Sequence, residues 1–138
     1  MASKSLSELA QSMRGIDIAT FSTHTEGGQI AARPMSNNGE VEYDGTSYYF
    51  CYEQSRLVSD IRNNPEVALD FQGAKAFWVS VQGDAELIQD KDQLQEHWSK
   101  DLDRWFKDGV DTPGVTMVKV TATRIHYWEG EDDGEIEL

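Results

Sequence analysis

Two spacings of apolar residues alternate along this chain, one helical and one of period two, and short polar clusters separate them. Leu6, Leu9, Ala10 and Met13 make a helical stripe. It starts behind Ser5-Leu-Ser-Glu8, whose ends are placed for a capping box, and Gly15 can close it. Residues 16–22 alternate as a strand, 25–28 read as a turn, and 29–36 as the return strand. Pro34 has no N–H to give a ladder, which predicts an edge, a bulge or a strand end there. Asn37-Asn38-Gly39 and Asp44-Gly45 are turn signals around a short segment, Val41-Glu42-Tyr43. The Asp44-Gly45 pair predicts a tight hairpin into residues 48–52.

The stretch from Tyr48 to Leu69 reads strand, helix, strand. Its opening run, Tyr48-Tyr49-Phe50-Cys51-Tyr52, suits a pleated, half-buried surface. Ser55 is a good N-cap, Arg56 stands in the first turn, and Leu57, Val58 and Ile61 keep helical spacing. Pro65 disfavours helical geometry at Asn64 and ends the helix. Val67, Leu69 and Phe71 then alternate. Phe77, Val79 and Val81 share one face of the next strand while Trp78 and Ser80 share the other. Gly83 predicts a bulge within one long pairing that continues to Gln89. A helix is predicted from Asp90 towards Gly109, with Leu94, Trp98, Leu102, Trp105 and Phe106 on one side and a break near 99–101. Residues 115–122 and 124–129 read as the last two strands, and the acidic end as mobile or laid on the surface. Seven strands and three helices with short turns predict a mainly β, antiparallel barrel or sheet.

The chain has 138 residues, which fits one domain, 1–138, with an acidic C-terminal tail over 129–138. Its formal net charge is −13, and six of the carboxylates lie in the last ten residues without a basic partner. Such a field repels nucleic acid and anionic membrane, so neither is expected as a partner. No apolar run approaches the roughly 20 residues needed to span a membrane, and no signal-type segment opens the chain, so a cytoplasmic location is expected. The single cysteine, Cys51, excludes an internal disulfide framework and reads as a buried small hydrophobe.

Ser55 and Arg56 stand at a strand-to-helix junction. Free N–H groups at a helix start and a two-pronged guanidinium make a natural phosphate grip, although the same residues also serve a plain capped surface helix with a solvated arginine. Elsewhere the chemistry is sparse. His24, His97 and His126 are not at metal-ligand spacing to one another or to Cys51, so no metal site is expected. There is no G-x-S-x-G, Walker or G-x-G-x-x-G motif, and acidity spread over the whole chain singles out no acid–base pair. Redox chemistry here would be carried by a cofactor.

One order of features stands out: the R-P-M strand at Arg33-Pro34-Met35, the segment Phe50-Cys-Tyr-Glu-Gln-Ser-Arg-Leu57, the turn Asn63-Asn-Pro-Glu-Val67 and the ending Tyr127-Trp128-Glu-Gly-Glu-Asp-Asp-Gly134. It resembles the pyridoxamine 5′-phosphate oxidase family with its FMN-binding split β-barrel, and within it the small general stress protein 26 group. The resemblance covers nearly the whole chain. It implies a split barrel of six to seven antiparallel strands and a homodimer with FMN at the subunit interface. It places Arg33, Pro34 and Met35 along the phosphate and ring, Phe50 and Cys51 at the strand end that meets the flavin, and Ser55 and Arg56 on the phosphate. Trp78 falls where the oxidases usually carry a glutamine near the ring, and Trp128 matches an aromatic residue beside it.

The departures from the pattern are informative. Leu57 stands where a lysine usually follows the arginine, so one cation is lost from the phosphate grip. The oxidases end in a basic Arg-x-His segment for their anionic substrate; this chain ends in Gly134-Glu-Ile-Glu-Leu138, which argues against vitamin B6 phosphate oxidation. The resemblance therefore implies a flavin-binding general stress protein, an oxidoreductase on a small-molecule substrate that the residues do not identify. FAD or a deazaflavin are the alternative cofactors, and haem ranks below them for want of a well-placed axial histidine. The alternative roles are a non-catalytic flavin sensor or carrier, and a cofactor-free dimeric scaffold.

Overall fold

The structure, a computed structural model, describes residues 4–37 and 43–138. Three α-helices and seven strands follow in chain order: α1 Leu6–Met13, β1 Ile18–His24, β2 Ile30–Ser36, β3 Thr46–Tyr52, α2 Arg56–Asn63, β4 Glu66–Gln72, β5 Phe77–Ile88, α3 Lys91–Glu96, β6 Val115–Glu129 and β7 Asp132–Glu137. Two 3₁₀ turns, Lys100–Arg104 and Gly109–Asp111, lie between α3 and β6. The strands form one antiparallel sheet in the order β2-β1-β4-β5-β6-β3, with β7 also paired to β6.

Local chemistry accounts for the helix starts. The Ser5 hydroxyl accepts from the Glu8 N–H at 3.2 Å while the Glu8 carboxylate accepts from the Ser5 N–H at 3.1 Å, a complete capping box. The Ser55 hydroxyl accepts from the Val58 N–H at 3.4 Å. Pro34 sits on the edge strand β2, where its missing donor costs no ladder bond.

β6 is the hub of the sheet. One edge follows β5 throughout; the other takes β3 along residues 115–121 and β7 along 124–129. Opposite Gln82 and Gly83 the register steps from Arg124 to Ala122, so Thr123 is the extra residue of a bulge. A Cβ at Gly83 would run into the Thr121 carbonyl, which explains the glycine there. The sequence predicted two strands here; the bulge keeps them as one strand of 15 residues.

Period-two alternation places Phe21, Leu69, Phe71, Val79, Val81, Ile125 and Tyr127 on the inner face. Leu9 and Met13 of α1 and Leu57 and Ile61 of α2 close over them. A second, smaller cluster joins Ile88, Leu94, Phe106, Val115 and Met117, with Trp98 and Leu102 at its border.

Several expectations are corrected. The acidic end forms a strand where none was expected: it turns at Gly130 (φ +62°) and pairs with β6 as β7. There Arg124 bonds Glu135, and the His126 Nε2 lies 2.8 Å from Asp133. Arg124 offsets part of the charge that argued for a free tail, and the His126 ring gives Asp133 a hydrogen-bond partner. The long helix after Asp90 stops at Glu96 and resumes as 3₁₀ turns, whose three-residue period leaves Trp105 out of the stripe and 64% exposed. The strand that the Asp44-Gly45 signal leads into pairs with β6; the hairpin partner expected for it, Val41 and Glu42, and the turn residues Asn38 and Gly39 lie outside the described residues.

Candidate functional site

The sequence-predicted residues fall into two groups. The first surrounds the start of α2. Burial of Leu57, Val58 and Ile61 seats the helix, and the Ser55 cap sets where it begins. Arg56 follows the cap, exposed, with no carboxylate partner among the described residues. The other two α2-associated cations are paired: Arg62 with Glu53 at 3.4 Å and Arg33 with Asp60 at 3.4 Å. A cleft of about 730 Å³ beside Ser55 is bordered by Glu26, Glu53, Ser59 and Arg62. Leu57, the position where the resemblance's motif carries a lysine, is buried in the main core, so it offers the cleft no charge.

Phe50 and Cys51 are adjacent on β3 and therefore face opposite ways. Cys51 packs against the main core, and burial pushes its thiol up to about 11, against the lowering effect of its hydrogen bond with Ser55. Phe50 packs edge-on to Trp98 with ring centres 5.1 Å apart. That same face of β3 borders a second cleft, about 510 Å³, where Tyr48 stacks on His97 at 3.7 Å.

On β2, Arg33 and Met35 alternate inward and Pro34 outward. The Arg33 guanidinium donates to the Thr23 hydroxyl at 2.9 Å and to the Phe21 carbonyl at 3.3 Å, besides its ion pair with Asp60. Thr23 in turn donates to Asp60 at 2.8 Å. Sequence reasoning missed Asp60 and Thr23. The available signal was an aspartate between Val58 and Ile61, on the apolar side of a helix, which calls for a buried partner.

The second group lies on the outer face of the sheet. Trp78 and Trp128 are directly opposed on β5 and β6, and are 43% and 40% exposed. His126 stacks on Trp128 with ring centres 4.3 Å apart. With Ile18, Thr20 and Asp70 the two tryptophans line a shallow cleft of about 650 Å³. Register separates the groups: along the sheet β1, β4 and β5 intervene between β2 and β6, and the tryptophans point to the face opposite Arg33. Within one chain the predicted residues do not converge. No group of three or more metal-ligating side chains occurs among the described residues. No described helix is long and apolar enough to cross a membrane.

Comparison with known proteins gives this arrangement a context. General stress protein 26 of Bacillus subtilis is 27% identical over 111 residues, 77% of this chain and 79% of that protein. Protein bli-3 of Neurospora crassa is 25% identical over 83 residues, 54% of this chain, and the match spans only 40% of its length. Among solved structures, the general stress FMN/FAD binding protein of the phytopathogen Xanthomonas citri superposes with a TM-score of 0.76 at 16% identity, over 96% of this chain and 94% of that one. The shared fold is the mainly antiparallel split barrel expected from the sequence. The family model described as pyridoxamine 5′-phosphate oxidase like matches residues 4–137, and the chain belongs to that family.

Proposed function

We propose that this protein is a flavin-binding oxidoreductase of the general stress type, acting on a small molecule as a homodimer with FMN held where two copies meet. The observation that carries the reading is Arg56: an exposed cation without a carboxylate partner among the described residues, at the capped start of α2. The residues present suit a flavin phosphate. The first N–H groups of α2 and the Arg56 guanidinium would hold it, with Ser55 fixing where the helix begins. The family membership and the flavin-binding neighbour support the same ligand.

The proposed dimer accounts for the separation of the two residue groups. A second copy would bring its Trp78 and Trp128 to the ring side of the first copy's α2 start, excluding water there. Pro34 and Met35 would line the approach, and the Phe50–Cys51 backbone would meet the flavin edge. A bound flavin supplies hydride or electron transfer. No side chain is assigned as acid or base.

Titration of the purified protein with FMN and with FAD, followed by visible absorption, tests this reading. A spectral shift at near-stoichiometric flavin is expected, and Arg56→Ala should weaken FMN binding by about 1.5–3 kcal/mol while the fold persists. A protein that ignores both flavins overturns the proposal, and deazaflavin and haem are then the ligands to titrate. Oxidation of reduced nicotinamide by the loaded protein separates an enzyme from a carrier.

A further inference from the structure

The inward turn of Arg33 bears on what reads the phosphate. Asp60 is only 3% exposed and Thr23 only 2%. A carboxylate so placed is costly unless a cation and hydrogen bonds meet it. Arg33 and Thr23 both reach the same Asp60 oxygen, at 3.4 and 2.8 Å. One terminal nitrogen of Arg33 gives both its hydrogens inward, to the Phe21 carbonyl and to the Thr23 hydroxyl. Thr23 thus accepts from Arg33 and donates to Asp60, and the three side chains tie β2, β1 and α2 together. Asp60 lies four residues beyond Arg56, just over one helical turn. The tie therefore acts directly behind the helix start.

We infer that Arg33 is a positioning residue, which holds α2 against β1 and β2 through Asp60 and Thr23, and that Arg56 with the α2 backbone carries the recognition of the flavin phosphate. The inference rests on the flavin reading for its ligand, though the anchoring itself does not. It makes the site a single-cation one. FMN is preferred over riboflavin through Arg56, whereas Arg33 acts on both flavins alike.

The test compares wild type, Arg56→Ala, Arg33→Gln and the double variant Arg33→Gln/Asp60→Asn. FMN and riboflavin affinities are measured by fluorescence titration, and α2 amide protection by hydrogen exchange. Arg56→Ala should lower the FMN-to-riboflavin affinity ratio by about tenfold or more. Arg33→Gln leaves Asp60 buried without its cation, so both flavins should weaken together and the 56–63 amides should exchange faster. Adding Asp60→Asn removes the stranded charge and should restore both affinities and the protection, because replacing both partners of a buried pair is far gentler than removing one.

A ratio that falls in the double variant as it does in Arg56→Ala makes Arg33 a phosphate ligand and overturns the inference. If Arg33→Gln does not accumulate as folded protein, the double variant against wild type decides on that same ratio. If wild type binds neither flavin, the functional reading fails and hydrogen exchange alone judges the anchor: faster α2 exchange in Arg33→Gln, or its failure to fold, with protection regained in the double variant, supports it. Unchanged exchange in Arg33→Gln, or protection that the double variant does not regain, overturns it.

Discussion

The two faces of the sheet are built from the same strands and carry opposite chemistry. Across β2, β1, β4, β5 and β6 one row runs Met35, Ala19, Phe71, Val79 and Tyr127; the next runs Ser36, Ile18, Gln72, Trp78 and Trp128. The first row faces the core and is covered within the chain by helices. Even its charged neighbour Arg33 finds its partners there. The second row leaves two tryptophans and Ile18 in contact with solvent. Along these rows a one-residue step separates a face whose side chains are covered within the chain from a face whose tryptophans stay open. Folding stability belongs to the first face. The second is the face that the proposed dimer would use.

Truncation on each face should separate those roles most sharply. Leu69 is fully buried at the centre of the inner face, so Leu69→Ala should destabilise the fold by about 2–5 kcal/mol in urea denaturation. Trp78→Ala removes a larger side chain but an open one, and should change the stability of the single chain by no more than about 1 kcal/mol. Its effect should appear as weaker self-association in sedimentation equilibrium. A Trp78→Ala loss as large as that of Leu69→Ala, with no change in association, would break the distinction between the faces.

A smaller effect is expected where the two faces are held in register. Gly83 lies at the bulge between β5 and β6, with the Thr121 carbonyl where a Cβ would go. Gly83→Ala should cost about 1–3 kcal/mol, since the backbones must separate to admit the methyl group. Hydrogen exchange along β5 should report the strain on both sides of the bulge. Protection lost only at residue 83 would mean the bulge absorbs the methyl locally.

Period-two alternation made the faces legible before any coordinates: Phe77, Val79 and Val81 against Trp78 and Ser80 are where the spacing put them. The Ser5 and Ser55 caps were equally readable, because each signal is local. What escaped was non-local. Nothing near Thr123 tells that two strand-like segments continue as one, since the bulge exists only opposite Gly83. Acidic residues 132–137 look like a solvated tail until Arg124 and His126 are brought alongside by pairing. Likewise the resemblance places Arg33 along the flavin; only the fold delivers Asp60, 27 residues later, to its guanidinium. The candidate site was legible as residue types at the start of α2, while its division between two faces required the register.

The mildest probe of the closed inner face is Cys51. Its thiol packs against the main core at the end of β3, and burial raises it from 9.0 to about 11. The thiolate is the reactive form, so at pH 8 alkylation of the native protein should be about a hundredfold slower than that of the unfolded chain, and should accelerate towards pH 11. The same shift sets a stability trend. The unfolded chain releases this proton above pH 9 while the folded chain keeps it until about 11, so the contribution of Cys51 is fully present below pH 9 and is lost as pH rises through 11. Tyr43 and Tyr49, whose phenols burial also raises, add to the loss at still higher pH. Cys51→Ala should remove the first part of that alkaline decline and leave the tyrosine part. A native thiol that alkylates at pH 8 as fast as the unfolded one would mean that the inner face opens at the end of β3, beside Ser55, where the outer face alone is expected to be open.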